Sequence, residues 1–83
     1  MQMRSDTWVV IPAFNEAPVI GGVVAGVRAL FPRVLVVDDA SDDDTAAIAR
    51  AAGAYTATHP INLGQGAALQ TGFEAALARG ARY

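Results

Sequence analysis

The sequence predicts an α/β fold in which a parallel sheet is flanked by helices, and three observations carry that prediction. Val34-Leu35-Val36-Val37 is an unbroken apolar, mostly β-branched run, the pattern of a strand buried on both faces. The run stops at two carboxylates, Asp38 and Asp39, and a helix start follows at Ser41 with acids behind it. Along the whole chain, strand-like and helix-like stretches alternate with short connections, which implies right-handed crossovers between parallel strands. Ligands of such sheets bind beyond the carboxyl ends of the strands. The acidic pair lies there.

The elements follow in order. Thr7 to Ile11 (T-W-V-V-I) is rich in strand formers and is expected to end at Pro12. After the loop Ala13-Phe14-Asn15-Glu16, Pro18 suits a first helical turn. Ile20, Val23, Val24, Val27, Leu30 and Phe31 recur at helical spacing, so residues 18–30 read as an amphipathic helix closed by Pro32. Gly21, Gly22 and Gly26 each weaken it by about 1 kcal/mol relative to alanine, and glycines of this kind let a helix lie close on a sheet. The second strand is 34–38. Ser41 and Asp44 match a capping box with Asp in place of Glu, and a helix is expected from Asp42 to about Ala52, its early acids favourable to the helix dipole. Gly53 stops it. Ala54 to Thr58 is a third, weaker strand, and His59 to Gly66 is a loop rich in turn formers, with His59 expected in solvent. A third helix places Leu69, Phe73, Ala76 and Leu77 on one face and stops at Gly80, and Ala81-Arg82-Tyr83 resembles the start of a further strand. Trp8 and Phe73 are expected in the core.

With 83 residues the chain holds at most one small domain. Residues 1–83 are expected to be a single partial domain, because a three-stranded parallel sheet leaves its edges open and its last helix facing little. An open edge also offers a route to self-association. A hydrophobic fraction of 53% against 17% charged residues excludes a disordered polar tail. There is no cysteine, hence neither a disulfide framework nor a thiolate metal site. The basic residues are all arginine, the net charge is −2 and no basic cluster exists, so a nucleic-acid surface is not expected. No apolar run approaches the ~18 residues of a membrane span, and Met1 to Asp6 is too polar for a signal peptide. A cytoplasmic protein is expected, with work at the cytoplasmic membrane face open to a longer parent.

Three loops would meet above the carboxyl ends of the strands: Pro12 to Glu16, Asp38 to Ser41 and His59 to Gly66. Together they present Glu16, Asp38, Asp39, Ser41, Asn62 and the backbone around Gly64 and Gly66. So acceptor-rich a cleft suits a ligand that donates hydrogen bonds, such as the imide N–H of uracil, the amino edge of guanine or ribose hydroxyls. Gly64 and Gly66 let the backbone approach a ligand, and the third helix offers free N–H groups at its N-terminus. The inferred arrangement puts a base and sugar at the acids, with phosphates farther along. Blander roles stand beside this one: Glu16 as a first-turn acid, Asp38 and Asp39 as solvated loop acids, the two glycines as turn formers, and Ser41 with Asp42 to Asp44 as helix capping.

Three motifs in order, I-P-A-F-N-E, V-V-D-D-A-S-D-D-D-T and N-L-G-Q-G-A-A-L-Q-T-G, carry a resemblance that runs from Thr7 to Tyr83. The chain resembles the N-terminal part of family 2 glycosyltransferases, most of all the polyprenyl-phosphate sugar transferases of the dolichyl-phosphate mannose or glucose synthase kind. The resemblance implies a Rossmann-like sheet, the nucleotide-binding part of a GT-A fold, truncated. It implies an enzyme that transfers a sugar from a UDP- or GDP-sugar to an acceptor, plausibly a polyprenyl phosphate, with inversion. The family's first loop holds base and ribose, which falls on Pro12, Ala13, Phe14 and Glu16. The acidic pair binds base or ribose, which falls on Val37, Asp38 and Asp39. The glycine-rich segment flanks the sugar nucleotide, which falls on Asn62, Gly64, Gln65 and Gly66.

Two departures matter. Position 65 is glutamine where a basic residue is common, which weakens the case for a phosphate contact there. The family's D-x-D motif, which holds a divalent cation (Mg or Mn), belongs at the end of the next strand, beyond Tyr83. No metal ligand and no catalytic base is therefore expected in this chain, which would be inactive alone. Asp42-Asp43-Asp44 formally contains D-x-D, but it opens a helix, where neighbouring positions diverge around the axis. Three other readings compete. A dinucleotide-binding domain needs G-x-G-x-x-G at the first helix, which is absent. A phospho-receiver-like domain places its acids after the first strand and uses a lysine. A non-catalytic truncated α/β fragment is the third.

Overall fold

The computed structural model describes residues 7–78. Its elements are β1 (Trp8–Ala13), α1 (Ala17–Arg28), β2 (Arg33–Asp38), α2 (Thr45–Ala51), β3 (Tyr55–Thr58) and α3 (Gln65–Ala78). The strands form one parallel sheet in the order β1-β2-β3, with Val10 opposite Leu35, and Leu35 opposite Tyr55. The expected stop at Gly80 and the strand at Ala81–Tyr83 lie outside the described residues, as does Met1–Asp6.

The central strand explains the layers. Side chains alternate across a strand, so Val34 and Val36 face one way and join Ile20 and Val24 of α1, Ala49 of α2 and Ala54. Leu35 and Val37 face the other way and pack with Ala68 of α3, flanked by Trp8, Val10 and Ala57. All four β2 residues are shielded from water. Trp8 is half-buried, and its ring lies 5.2 Å from that of Tyr55 with the Arg33 guanidinium 5.6 Å from its centroid. Among the described residues no helix is long and apolar enough to cross a membrane.

Three expectations change. β1 runs through Pro12 to Ala13 instead of stopping at the proline. Pro12 pairs only with β2, opposite Val37, and proline is tolerated in a strand with a partner on one side. α2 begins at Thr45, not Asp42, and its N-cap, Asp44, makes no side-chain cap bond. Ser41 is engaged elsewhere, and Ala40 turns the chain in the left-handed region at φ 63°. That conformation costs an L-residue about 1–2 kcal/mol, while glycine costs about 0.4–1 kcal/mol through the unfolded chain. Ala40→Gly is therefore expected to raise stability, by up to about 1 kcal/mol, in a urea melt.

The third change is the phase of α3. Ala68, Gly72 and Ala76 are its buried stripe, whereas Leu69, Phe73 and Leu77 are 46%, 42% and 38% exposed. A Cβ built on Gly72 would stand 2.2 Å from Val10 Cγ1 and 3.1 Å from Val37 Cγ2. The helix lies so close to the sheet that only small residues fit between them. In α1, by contrast, nothing lies within 4 Å of a Cβ on Gly22 or Gly26, and Gly21 faces Ile48 of α2, not the sheet.

Candidate functional site

The three motif loops meet at the carboxyl end of the sheet, and backbone bonds set their spacing. The Asp39 amide donates to the Ala13 carbonyl (2.9 Å), carrying the β1–β2 ladder one step past the strand ends. The His59 amide donates to the Asp38 carbonyl (2.9 Å), which ties the third loop to the second.

Side chains then fasten the first loop to the second. The Asn15 amide donates to Ser41 Oγ and the Asp42 amide donates to Asn15 Oδ1, both at 2.8 Å. Glu16 N donates to Thr45 Oγ1 (2.9 Å) and Ala17 N to Asp43 Oδ2 (3.2 Å). The first N–H groups of a helix have no intrahelical partner; at the start of α1 the Ala17 amide finds its partner on Asp43 of the neighbouring loop. Ser41 thus serves the first loop, which corrects the expectation that it caps its own helix, whereas Asp43 reaches both ways: Oδ2 accepts from Ala17, and Oδ1 accepts from the amide of Thr45 at the start of α2 (3.1 Å). Asn15 sits at φ 53°, a left-handed conformation that asparagine tolerates better than most residues.

Of the paired carboxylates, Asp38 turns inward. It is buried, and its Oδ1 accepts from the Ser41 amide (3.0 Å) and the Ser41 hydroxyl. Asp39 faces the site. A cavity of about 200 Å³ is lined by Pro12, Ala13, Phe14, Glu16, Asp39, Gln65 and Ala68. Complete small-molecule pockets hold roughly 300–1,000 Å³, so this one has room for a base and not for a whole sugar nucleotide. Phe14 is 45% exposed at its rim, where an aromatic face can stack on a base. The other sequence candidates lie around it. Val37 is in the core beneath α3. Asn62 is exposed in the third loop, Gly64 bonds to Asp39, and Gly66 borders a separate groove with Val10, Leu69, Gln70 and Phe73.

The charge of Asp39 is held by its partners. Oδ1 accepts from the Leu63 amide (2.9 Å) and from His59 Nδ1 (2.8 Å), and Oδ2 accepts from the Gly64 amide (2.8 Å). The Leu63 amide, then the His59 ring, keep its carboxyl below the usual 3.8, so it is ionised at neutral pH. A carboxylate has about four acceptor positions. Three are filled, which leaves one direction, on Oδ2. Gly64 sits at φ 92°, a region open to glycine, and so supplies its amide to the same carboxylate as Leu63.

His59 is the residue sequence reasoning missed. It was expected in solvent; it is 7% exposed, with Nδ1 on Asp39 and Nε2 2.7 Å from Thr71 Oγ1 in α3. Burial follows from that pair of partners, and neither is near it in sequence, so no local pattern announces it.

A divalent cation does not fit the described residues. The Asp43 carboxyl is held below the usual 3.8 first by the Thr45 hydroxyl, and its oxygens accept from Thr45 and Ala17. Asp38 Oδ1 and both oxygens of Asp39 likewise accept from loop donors. Among the described residues no group of three or more His, Asp or Glu could hold a metal ion.

Known proteins are similar to this chain in sequence and fold. The sequence pattern of glycosyl transferase family 2 matches residues 8–79. An uncharacterized protein of Methanocaldococcus jannaschii is 39% identical over 75 residues, which cover 89% of this chain and 31% of that protein. Among solved structures, glucosyl-3-phosphoglycerate synthase of Mycobacterium tuberculosis, in complex with phosphoglyceric acid, superimposes with a TM-score of 0.74 at 30% identity, over 86% of this chain and 29% of that one. A mannosyltransferase of Pyrobaculum calidifontis, in complex with GDP-Man and Mn²⁺, gives a TM-score of 0.74 at 25% identity, over 89% of this chain and 25% of that one. The chain therefore spans about a third or less of the length of these relatives. With the family pattern running from β1 to the end of the described residues, and a three-layer parallel sheet that superimposes on two sugar transferases, the chain belongs to glycosyl transferase family 2.

Proposed function

We propose that the chain supplies the nucleotide-binding part of a glycosyltransferase that moves a sugar from a UDP- or GDP-sugar to an acceptor. The observation that carries this reading is the convergence of all three motif loops on one cavity, with Phe14 at its rim and Asp39 in its wall. Asp39 is ionised and has one acceptor direction left, which suits a single donor: a base N–H or a ribose hydroxyl. Glu16, also in the wall, offers a second acceptor. The N-terminus of α3 begins at Gln65 on the far side of the cavity and presents N–H groups toward phosphates leaving it.

The similar mannosyltransferase holds GDP-Man and Mn²⁺, which supports a sugar nucleotide as donor and a divalent cation as cofactor of the full-length enzyme. Such an ion would offset the diphosphate charge, and residues other than those described would hold it. A phosphorylated acceptor fits both the polyprenyl phosphate implied by the motifs and the phosphoglyceric acid bound by the similar synthase. Calorimetry on the chain tests the donor: UDP or GDP is expected to bind in preference to ADP, and Asp39→Ala to weaken binding about tenfold or more. Affinity for the preferred nucleotide is expected to be the same with and without Mn²⁺. Equal, weak heats for all three nucleotides would contradict the proposal.

A further inference from the structure

We propose that His59 is a positioning residue, which holds Asp39 in the one orientation that both closes the third loop and leaves an acceptor facing the cavity. His59 lines no part of that cavity. It stands behind Asp39, and three bonds fix it there: its amide to the Asp38 carbonyl (2.9 Å), Nδ1 to Asp39 Oδ1 (2.8 Å) and Nε2 to Thr71 Oγ1 (2.7 Å). His59 and Asp39 are both buried, so neither exchanges these partners for water.

The chemistry assigns the ring's protons. An ionised Asp39 only accepts, so Nδ1 carries hydrogen and donates to it, while Nε2 bonds to the Thr71 hydroxyl. Thr71 is on α3, three residues after the stripe residue Ala68 and one before Gly72, the position that seats α3 against the sheet. The imidazole therefore couples a rigid helix to the carboxylate. Without it, Oδ1 would keep only the Leu63 amide, and the side chain could turn about its Cβ–Cγ bond to solvent. The amides of Leu63 and Gly64 are the reporters of that turn, because both end on Asp39.

The nucleotide arm of this inference rests on the function proposed above; the loop arm does not. Two substitutions separate positioning from simple packing. Asparagine places its amide nitrogen near the position of Nδ1 and keeps the bond to Asp39, whereas glutamine places its nitrogen near Nε2 and keeps only the bond to Thr71. In His59→Gln the amides of Leu63 and Gly64 are expected to exchange hydrogen about tenfold faster, and the preferred nucleotide, UDP or GDP, to bind about tenfold more weakly. His59→Asn is expected to stay within about threefold of the parent chain in both. Should the parent chain bind neither nucleotide, the exchange difference between the two variants still supports the positioning role, and only the nucleotide reading fails. If His59→Gln does not fold, Thr71→Val serves: it frees the ring from α3, and the same two amides are expected to exchange about threefold faster. Equal exchange at Leu63 and Gly64 in the parent, glutamine and asparagine chains would overturn the proposal, as would unchanged exchange in Thr71→Val.

Discussion

Asp39→Asn is expected to loosen the carboxyl edge of the sheet and to make the chain's stability less sensitive to acid. The parent carboxylate accepts from two amides and an imidazole, and these hold its folded value below the usual 3.8. A group whose folded value is depressed stabilises the fold fully above its unfolded value. That contribution is lost as pH falls below about 3.8 toward the folded value, because the unfolded chain takes up the proton first. Asp43 acts in the same direction, with Thr45 as its main partner. Urea midpoints measured from about pH 7 to about pH 3 are expected to show the parent well above Asp39→Asn at neutral pH, with the gap closing as acid is added. A gap that is constant with pH would mean that the Asp39 charge does not hold the third loop.

Gly72→Ala is expected to destabilise the chain even though it improves helix propensity. Alanine favours a helix interior over glycine by about 1 kcal/mol, and the opposing term is steric. The new methyl would stand 2.2 Å from Val10 Cγ1, so α3 must lift from the sheet or β1 must shift. Overpacking of that kind costs typically about 1–3 kcal/mol. Gly22→Ala and Gly26→Ala supply the contrast. A methyl there meets nothing within 4 Å, and each is expected to stabilise by up to about 1 kcal/mol. One chemical change, made in two helices, should carry opposite signs in thermal melts.

These glycines also mark where the sequence is legible. β2 announces itself because a strand covered on both faces must be apolar at every position, and Val34 to Val37 is. The acidic pair, the three loops and their meeting point follow from strand-helix alternation alone. The phase of α3 does not. Hydrophobic periodicity weights large side chains, so Leu69, Phe73 and Leu77 look like the buried stripe, but the helix is seated on Ala68, Gly72 and Ala76. Close approach is chosen by volume. Capping is ambiguous for a related reason: serine and aspartate ahead of a helix read the same whether they cap that helix or the one beside it, and here Ser41 reaches Asn15 while Asp43 reaches Ala17 as well as its own Thr45. His59 depends on a partner 20 residues earlier and another 12 later, a relation that only the assembled fold creates.

Backbone amide shifts of the ¹⁵N-labelled chain, followed during titration with UDP and with GDP, test the nucleotide site most directly. Saturable shifts are expected for Phe14, Glu16, Asp39 and Gln65, which line the cavity, with the exposed face of α1 around Gly22 and Gly26 unmoved. A folded, well-dispersed spectrum in which neither nucleotide moves those four resonances would contradict the proposal.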